Sequence, residues 1–268
     1  MFTNLPQLLG RHYKWLYIVD FYRRRELTYI ANNILWSISL MCHLGSIIFV
    51  YFFANPSIFG EVIEYMFWTH VIFLITNSWV TLELSARIFE GKITSNLIVP
   101  TNLYWKNFWT FVGKSLCAYA IISLPALFVF WLFAKSYLIS TITIQSIIMC
   151  IPLLILGYWL YFSIGYISAS VTFWVLRPDA VNDFFYVIRN LFRGDLIQLS
   201  RLASIYPLVI WQPFAFVGYH TYNTLLNKYS TQDYLIFLCG SIFWAIILFL
   251  LARIIFKMGL KKNEAVGL

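Results

Sequence analysis

The feature that most limits this chain is a set of six apolar stretches, each about long enough to cross a lipid bilayer. A helix rises ~1.5 Å per residue, so a hydrocarbon core of ~30 Å needs about 20 mostly apolar residues. The stretches run from Ala31 to Ala54, Val62 to Leu82, Phe108 to Ala134, Thr143 to Leu176, Leu202 to Val217 and Tyr234 to Phe256. In lipid the backbone must satisfy its own hydrogen bonds, and runs of this length do so as helices. Charged residues are 11% of the chain and hydrophobic ones 61%, whereas a soluble domain carries about 25% charged residues to face water. The expected fold is therefore all-α: a polytopic transmembrane helical bundle of six spans, one domain over residues 1–268.

Basic residues set the expected orientation. Arg11, Lys14 and Arg23 to Arg25 precede the first span, and Arg87, Lys92, Lys106 and Lys114 surround the second-to-third loop. Arg177, Arg189, Arg193 and Arg201 lie between the fourth and fifth spans, and Arg253, Lys257, Lys261 and Lys262 close the chain. Of 19 Lys and Arg, only Lys135 and Lys228 fall on the opposite face. Positive-inside bias makes the rich face cytoplasmic, with both termini on it, in a multi-pass protein of the cell membrane. The net charge of +8 is spread between apolar runs rather than gathered in a patch, which argues against a nucleic-acid partner. Cys42, Cys117, Cys150 and Cys239 each sit alone in an apolar run, so no zinc site or disulfide framework is expected.

Three segments depart from a plain bundle. Within residues 1–30, Tyr13, Trp15, Leu16, Val19 and Tyr22 interleave with arginines, the pattern of an amphipathic helix lying in the membrane interface. In the 83–107 loop, charges at Glu83, Arg87, Glu90 and Lys92 alternate with Leu84, Ile88, Phe89 and Ile93. Gly91 allows a sharp turn there, and Pro100 stops a helix before the next span. Between Arg201 and Ser230, Pro207 and Pro213 interrupt an apolar run, and His220, Asn223 and Thr224 follow. That reads as a fifth helix broken near its outer end, with a re-entrant segment over 218–232 before the last span.

Together these features resemble the membrane subunit of an ATP-binding-cassette exporter, of the six-helix type-2 permease family. Ile88, Gly91, Lys92, Leu97 and Pro100 are similar to that family's coupling-helix region, and Phe192-Arg193-Gly194, Ile205-Tyr206-Pro207 and Gln212-Pro213-Phe214-Ala215 to a second block. The resemblance implies that Arg87, Ile88, Glu90, Gly91 and Lys92 contact a separate ABC ATPase subunit. It also implies a second permease, identical or a related six-helix chain. This chain would bind no cofactor itself, ATP and Mg belonging to the ATPase. Gly113-Lys114-Ser115 offers part of a P-loop, but position 108 is Phe where the phosphate cradle needs Gly, and the segment lies within a span.

Polar groups at membrane depth mark a pathway or a helix contact. His43, His70 and Asn77, with Trp211 and Gln212 beside Pro213, are the candidates to line a substrate path. No carboxylate falls mid-span, which counts against a proton- or sodium-coupled carrier. The expected function is export of a hydrophobic or amphipathic substrate, such as a lipid, a peptide or a drug-like molecule. No catalytic or metal-ligating residue is expected. A membrane-embedded enzyme modifying lipids or prenyl groups is the alternative. It would rest on Asp179 and Asp183, the one close acidic pair, which also fits helix capping. A structural or assembly factor without transport is a third reading.

Overall fold

The computed structural model describes residues 13–28, 30–54, 56–93, 102–119, 124–175, 178–194, 199 and 206–266. Among them the chain is helical throughout, with no strand: α1 (Tyr13–Leu27), α2 (Ile30–Ala54), α3 (Phe59–Thr76), α4 (Val80–Phe89), α5 (Leu103–Ala118), α6 (Leu124–Ala134), α7 (Ile144–Val171), α8 (Pro178–Arg193), α9 (Tyr206–Val209), α10 (Tyr219–Leu225) and α11 (Thr231–Val266). Three of these, α3, α7 and the Thr231–Lys262 part of α11, are long and apolar enough to cross a membrane.

The 28-residue α7 is the axis of the fold: α3, α4, α8, α10 and α11 all pack against it. Its start is well specified. Thr143 Oγ1 accepts from the Ser146 amide at 3.1 Å while Ser146 Oγ accepts from the Thr143 amide at 3.2 Å, a reciprocal cap that meets two otherwise orphaned donors. Towards its far end α7 meets α4, α5 and α11 around Tyr104. The Tyr104 hydroxyl pairs with Ser163 at 2.7 Å and accepts from Trp159 Nε1 at 2.8 Å, and its ring lies against Phe162, Tyr166 and Phe249. Val80, Leu84, Ile88, Ile93, Phe111 and Phe256 complete this core.

Large apolar side chains face outward along the long helices. α11 exposes Leu235, Ile236, Phe243, Ile246, Leu250 and Ile254, and only 22% of its apolar window is buried. α6 exposes Phe128, Trp131, Leu132 and Phe133. A surface this apolar belongs in lipid, since water-facing apolar patches on soluble monomers rarely exceed a few hundred Å².

The structure corrects the expected second span. Val62 to Leu82 is not one helix: α3 stops at Thr76, Asn77 turns to extended backbone (φ −71°, ψ 145°), and α4 begins anew at Val80. The freed Asn77 carbonyl accepts from the hydroxyls of Ser115 and Tyr119 on the α5 side, which makes the interruption tolerable inside the bundle. The expected third span falls on α5 and α6, with 120–123 outside the described residues. The stretch expected as the fifth span is helical only over Tyr206–Val209 and then turns repeatedly to Gly218, with 201–205 outside the described residues.

α1 lies along α5 in backbone contact. Gly113 marks a close approach: a Cβ there would stand 2.9 Å from Val19 Cα. Outward, α1 shows apolar Leu16, Tyr17 and Phe21 beside Arg23 and Arg24, both of which pair with Asp20 at 2.7 and 2.8 Å. Residues 1–12 of the expected 1–30 helix lie outside the described residues.

Candidate functional site

Two places carry more polar structure than a membrane bundle needs. The first is the turn after α4. Arg87 folds back on Glu83 along the helix, and Ile88 is buried in the core. The chain then runs exposed through Glu90, Gly91 and Lys92 before Ile93 is buried completely in the same core. Gly91 has φ +68°, a left-handed conformation that glycine adopts without a Cβ penalty. The Glu90 and Lys92 side chains pair at 2.7 Å across it. The four exposed residues from Phe89 to Lys92 thus project as a handle between two buried isoleucines. Residues 94–101, including Leu97 and Pro100, lie outside the described residues.

The handle is tied to the rest of the bundle through Glu83. Its carboxylate meets Arg87 on α4 and Lys114 on α5, and the Lys114 ammonium lies 5.5 Å from the Tyr22 ring of α1 and 5.3 Å from that of Phe111. Burial opposes ionisation of Glu83, but Lys114 and Arg87 outweigh it and hold the carboxyl below its ordinary range. The Gly113-Lys114-Ser115 run is thereby accounted for in full. Glycine admits α1, lysine reaches Glu83, and serine caps the Asn77 carbonyl.

The second place is a buried polar layer beside the α3–α4 interruption. α8 presents its polar side inward: Asn182 bonds Ser85 at 3.1 Å, and Arg189 Nη1 donates to Thr81 Oγ1 at 3.2 Å. The Arg189 guanidinium stands 5.0 Å from the Tyr161 ring, and that of Arg193 lies 3.7 Å from Phe73 and 5.3 Å from Tyr161. Both arginines are more than nine-tenths buried, while Phe184, Val187 and Leu191 on the other side are exposed. Of the arginines between the expected fourth and fifth spans, Arg189 and Arg193 are therefore buried, and Arg177 and Arg201 lie outside the described residues. The 16-residue α8 packs its charged side against α4 and α7.

Of the five residues expected to line a path, His70 and Asn77 lie on α3 and at its end, and Trp211 and Gln212 in the turns before α10. Asn77 belongs to the polar layer. His70 is buried on α3, its Nδ1 2.8 Å from the Met66 carbonyl one turn back. Trp211 is half-exposed and accepts from Trp244 Nε1 through its carbonyl. Gln212 is used locally, donating to the Phe192 carbonyl at 2.6 Å and accepting from the Phe214 amide at 2.7 Å. His43 lies on α2, its side chain outside the described residues. Sequence reasoning missed Arg189, Arg193, Ser78, Thr81, Tyr119, Tyr158 and Tyr161. One signal was available: Asn182, Arg189 and Arg193, at i, i+7 and i+11, fall on one helical face opposite Phe184, Val187 and Leu191.

The irregular chain before α11 is held by a separate device. His220, fully buried, stacks on Phe237 at 3.9 Å and lies 4.5 Å from Phe216. Its Nε2 is 2.8 Å from the Ile210 carbonyl and its Nδ1 3.0 Å from the Tyr229 hydroxyl. With Nε2 donating to the carbonyl and Nδ1 accepting, the imidazole is neutral and bridges both ends of the segment. Asn227, at φ 54°, ties the turn after α10 to the α6–α7 connection through the Thr141 carbonyl at 3.1 Å.

An all-helical bundle with lipid-type surfaces, an exposed pinned turn and a broken approach to the last long helix is the setting in which the family comparison is decisive. Residues 43–267 match the family described as ABC-2 family transporter protein. The chain belongs to that family. This ABC-2 protein is accordingly a multi-pass membrane permease, the transport subunit of an ABC transporter, and membership of the family implies partnership with an ABC ATPase subunit. No curated protein and no solved structure matches it. Asp179 and Asp183 are exposed near the start of α8, and no cluster of three metal-ligating side chains occurs among the described residues.

Proposed function

We propose that this permease exports a hydrophobic or amphipathic substrate across the cytoplasmic membrane, and that its partner ATPase drives it with ATP and Mg. In this reading the chain crosses the bilayer six times with both termini in the cytoplasm. α3 continued by the first turn of α4, through Leu82, makes the second crossing, and the stretch from Leu202 to Val217 makes the fifth. α1 lies in the cytoplasmic interface, and α10 is the re-entrant piece on the outer side. A second permease, identical or related, completes the pathway.

The exposed Glu90-Gly91-Lys92 turn between buried Ile88 and Ile93 is the observation that carries the reading. Its charged side chains are exposed, and among the described residues no heavy atom would stand within 4 Å of a Cβ at Gly91. Such a projection suits a partner that must push on the bundle, and Arg87 sits at its base. The test is co-expression with the ATPase subunit and purification in mild detergent. The complex should hydrolyse ATP at a rate set by transport. Replacing Glu90 and Lys92 by Ala and Gly91 by Val should free the ATPase or uncouple its turnover, while the permease stays folded. A fully coupled complex built on that triple variant would refute this placement of the contact.

A further inference from the structure

α11 runs for 36 residues, about 54 Å, whereas the hydrocarbon core it crosses is ~30 Å thick. Its apolar run from Tyr234 to Phe256 covers about 35 Å by the same rise. Lys257 therefore stands where hydrocarbon gives way to headgroups.

The helix has two sides. Ala245, Leu248, Ala252, Phe256 and Gly259 recur at intervals of three and four and are buried against the bundle. Gly259 seats the Phe173 ring just beyond α7, where a Cβ would collide with it, and Phe256 meets the same ring at 5.6 Å. This end of α11 is thus held in one orientation. On the opposite side Phe243, Ile246, Leu250 and Ile254 follow the same intervals, all exposed, and the exposed Lys257 and Lys261 continue their row without a break. The two lysines lie two residues before and two after Gly259, which on a helix turns both away from the bundle. Lys262 is exposed beside them. None of the three pairs with a carboxylate among the described residues, and the Glu264 side chain lies outside those.

Like charges one helical turn apart repel, and an anion held between them removes the repulsion. The row itself says which anion. Acyl chains lie against Phe243 to Ile254, so the headgroups of those same lipids meet Lys257 and Lys261. Basic clusters immediately beyond a membrane helix attract anionic lipid in this way. An acidic protein would have to displace the lipid that already lines the row.

We propose that Lys257 and Lys261, assisted by Lys262, bind the phosphate of an anionic phospholipid whose acyl chains lie along Phe243, Ile246, Leu250 and Ile254. The lipid is a bound partner of α11 and not the cargo. The site goes beyond the transport reading and rests on it only for the leaflet, which is the cytoplasmic one.

The experiment titrates the full-length protein in neutral detergent with dioleoyl phosphatidylglycerol or dioleoyl phosphatidylcholine and follows the first bound adduct by native mass spectrometry. The two probes share their acyl chains, and phosphatidylglycerol should bind well ahead. Lys257→Gln and Lys261→Gln should each weaken it about fivefold, and together about thirtyfold. Lys257→Arg with Lys261→Arg should retain it. Lys135→Gln removes the same charge from the exposed turn after α6 and should leave binding unchanged. Equal binding of phosphatidylcholine overturns the proposal, as does unchanged phosphatidylglycerol binding in the double Gln variant or an equal loss in Lys135→Gln. Loss of the ATPase complex in that double variant, with phosphatidylglycerol binding intact, assigns the row to an acidic protein and also overturns it. Lipid binding requires no ATPase, so its failure beside an intact ATPase complex removes the lipid site and leaves the transport reading standing.

Discussion

The Glu83–Lys114 pair gives the most direct test of how α4 is held. The Lys114 side chain is 12% exposed and that of Glu83 31%, so the pair lies between the surface and buried limits. Exposed ion pairs contribute about 0–1 kcal/mol, and breaking a fully buried one costs about 3–5 kcal/mol. In Lys114→Met, Glu83 keeps Arg87, so a loss of about 2 kcal/mol is expected. In Glu83→Gln, Lys114 keeps the Tyr22 and Phe111 rings, and the loss should be about 1 kcal/mol. The double variant should lose less than the sum, leaving a coupling of about 1 kcal/mol. Equilibrium unfolding in mixed micelles, followed by tryptophan fluorescence, measures all four proteins. The pH dependence carries a definite sign. Because the folded Glu83 carboxyl is held below its ordinary range, its contribution is complete above the ordinary carboxylate pKa and disappears as pH falls through the lowered folded value. Glu83→Gln should lack that part of the acid loss. Additivity within about 0.5 kcal/mol, or identical acid profiles, would refute the reasoning.

Three further outcomes are expected. Gly113→Val should push α1 off α5 at a cost of about 1–3 kcal/mol, opening the Arg23–Arg25 run to trypsin far faster than in the parent protein. His220→Ala removes the stack on Phe237 and Phe216 together with two hydrogen bonds, and should lower unfolding stability by roughly 3 kcal/mol. Removing both donors to the Asn77 carbonyl, with Ser115→Ala and Tyr119→Phe, should cost about 1–3 kcal/mol by leaving a buried acceptor unmet. Unfolding that matches the parent would show that the interruption needs no such support.

What the sequence revealed and what it hid follow from the range of the forces involved. α7 and α11 are legible because twenty apolar residues in a row identify themselves locally. The Gly91 turn is legible for the same reason, a glycine among alternating charges. The interruption at Asn77–Trp79 is not, because it contains neither Pro nor Gly. Its stability comes from Ser115 and Tyr119, some forty positions away along the chain. Arg189 and Arg193 were counted with the cytoplasmic charges because a basic residue between apolar runs is ordinarily a surface one. Their burial depends on α8 lying against α4 and α7, a tertiary fact. His70 and Gln212 were legible as polar groups at membrane depth, but the carbonyls of Met66 and Phe192 that they meet were not.

α4 links the two candidate sites. It is 10 residues long, about 15 Å, with the exposed Glu90-Gly91-Lys92 turn at one end and Thr81, the partner of Arg189, in its first turn. The Asn77–Trp79 interruption separates it from α3, so α4 is a short rigid rod joined to its neighbours by side chains rather than by a continuous helix. Its Glu83 is gripped by Lys114, its Ser85 by Asn182 and its Thr81 by Arg189. A force on the turn therefore reaches the polar layer without passing through a flexible segment, whereas a continuous α3–α4 helix would have spread it along the whole span. The Asn77 carbonyl that the interruption frees is held from the α5 side by Ser115 and Tyr119, so α4 keeps its own side-chain ties, and the two sites are the ends of one element.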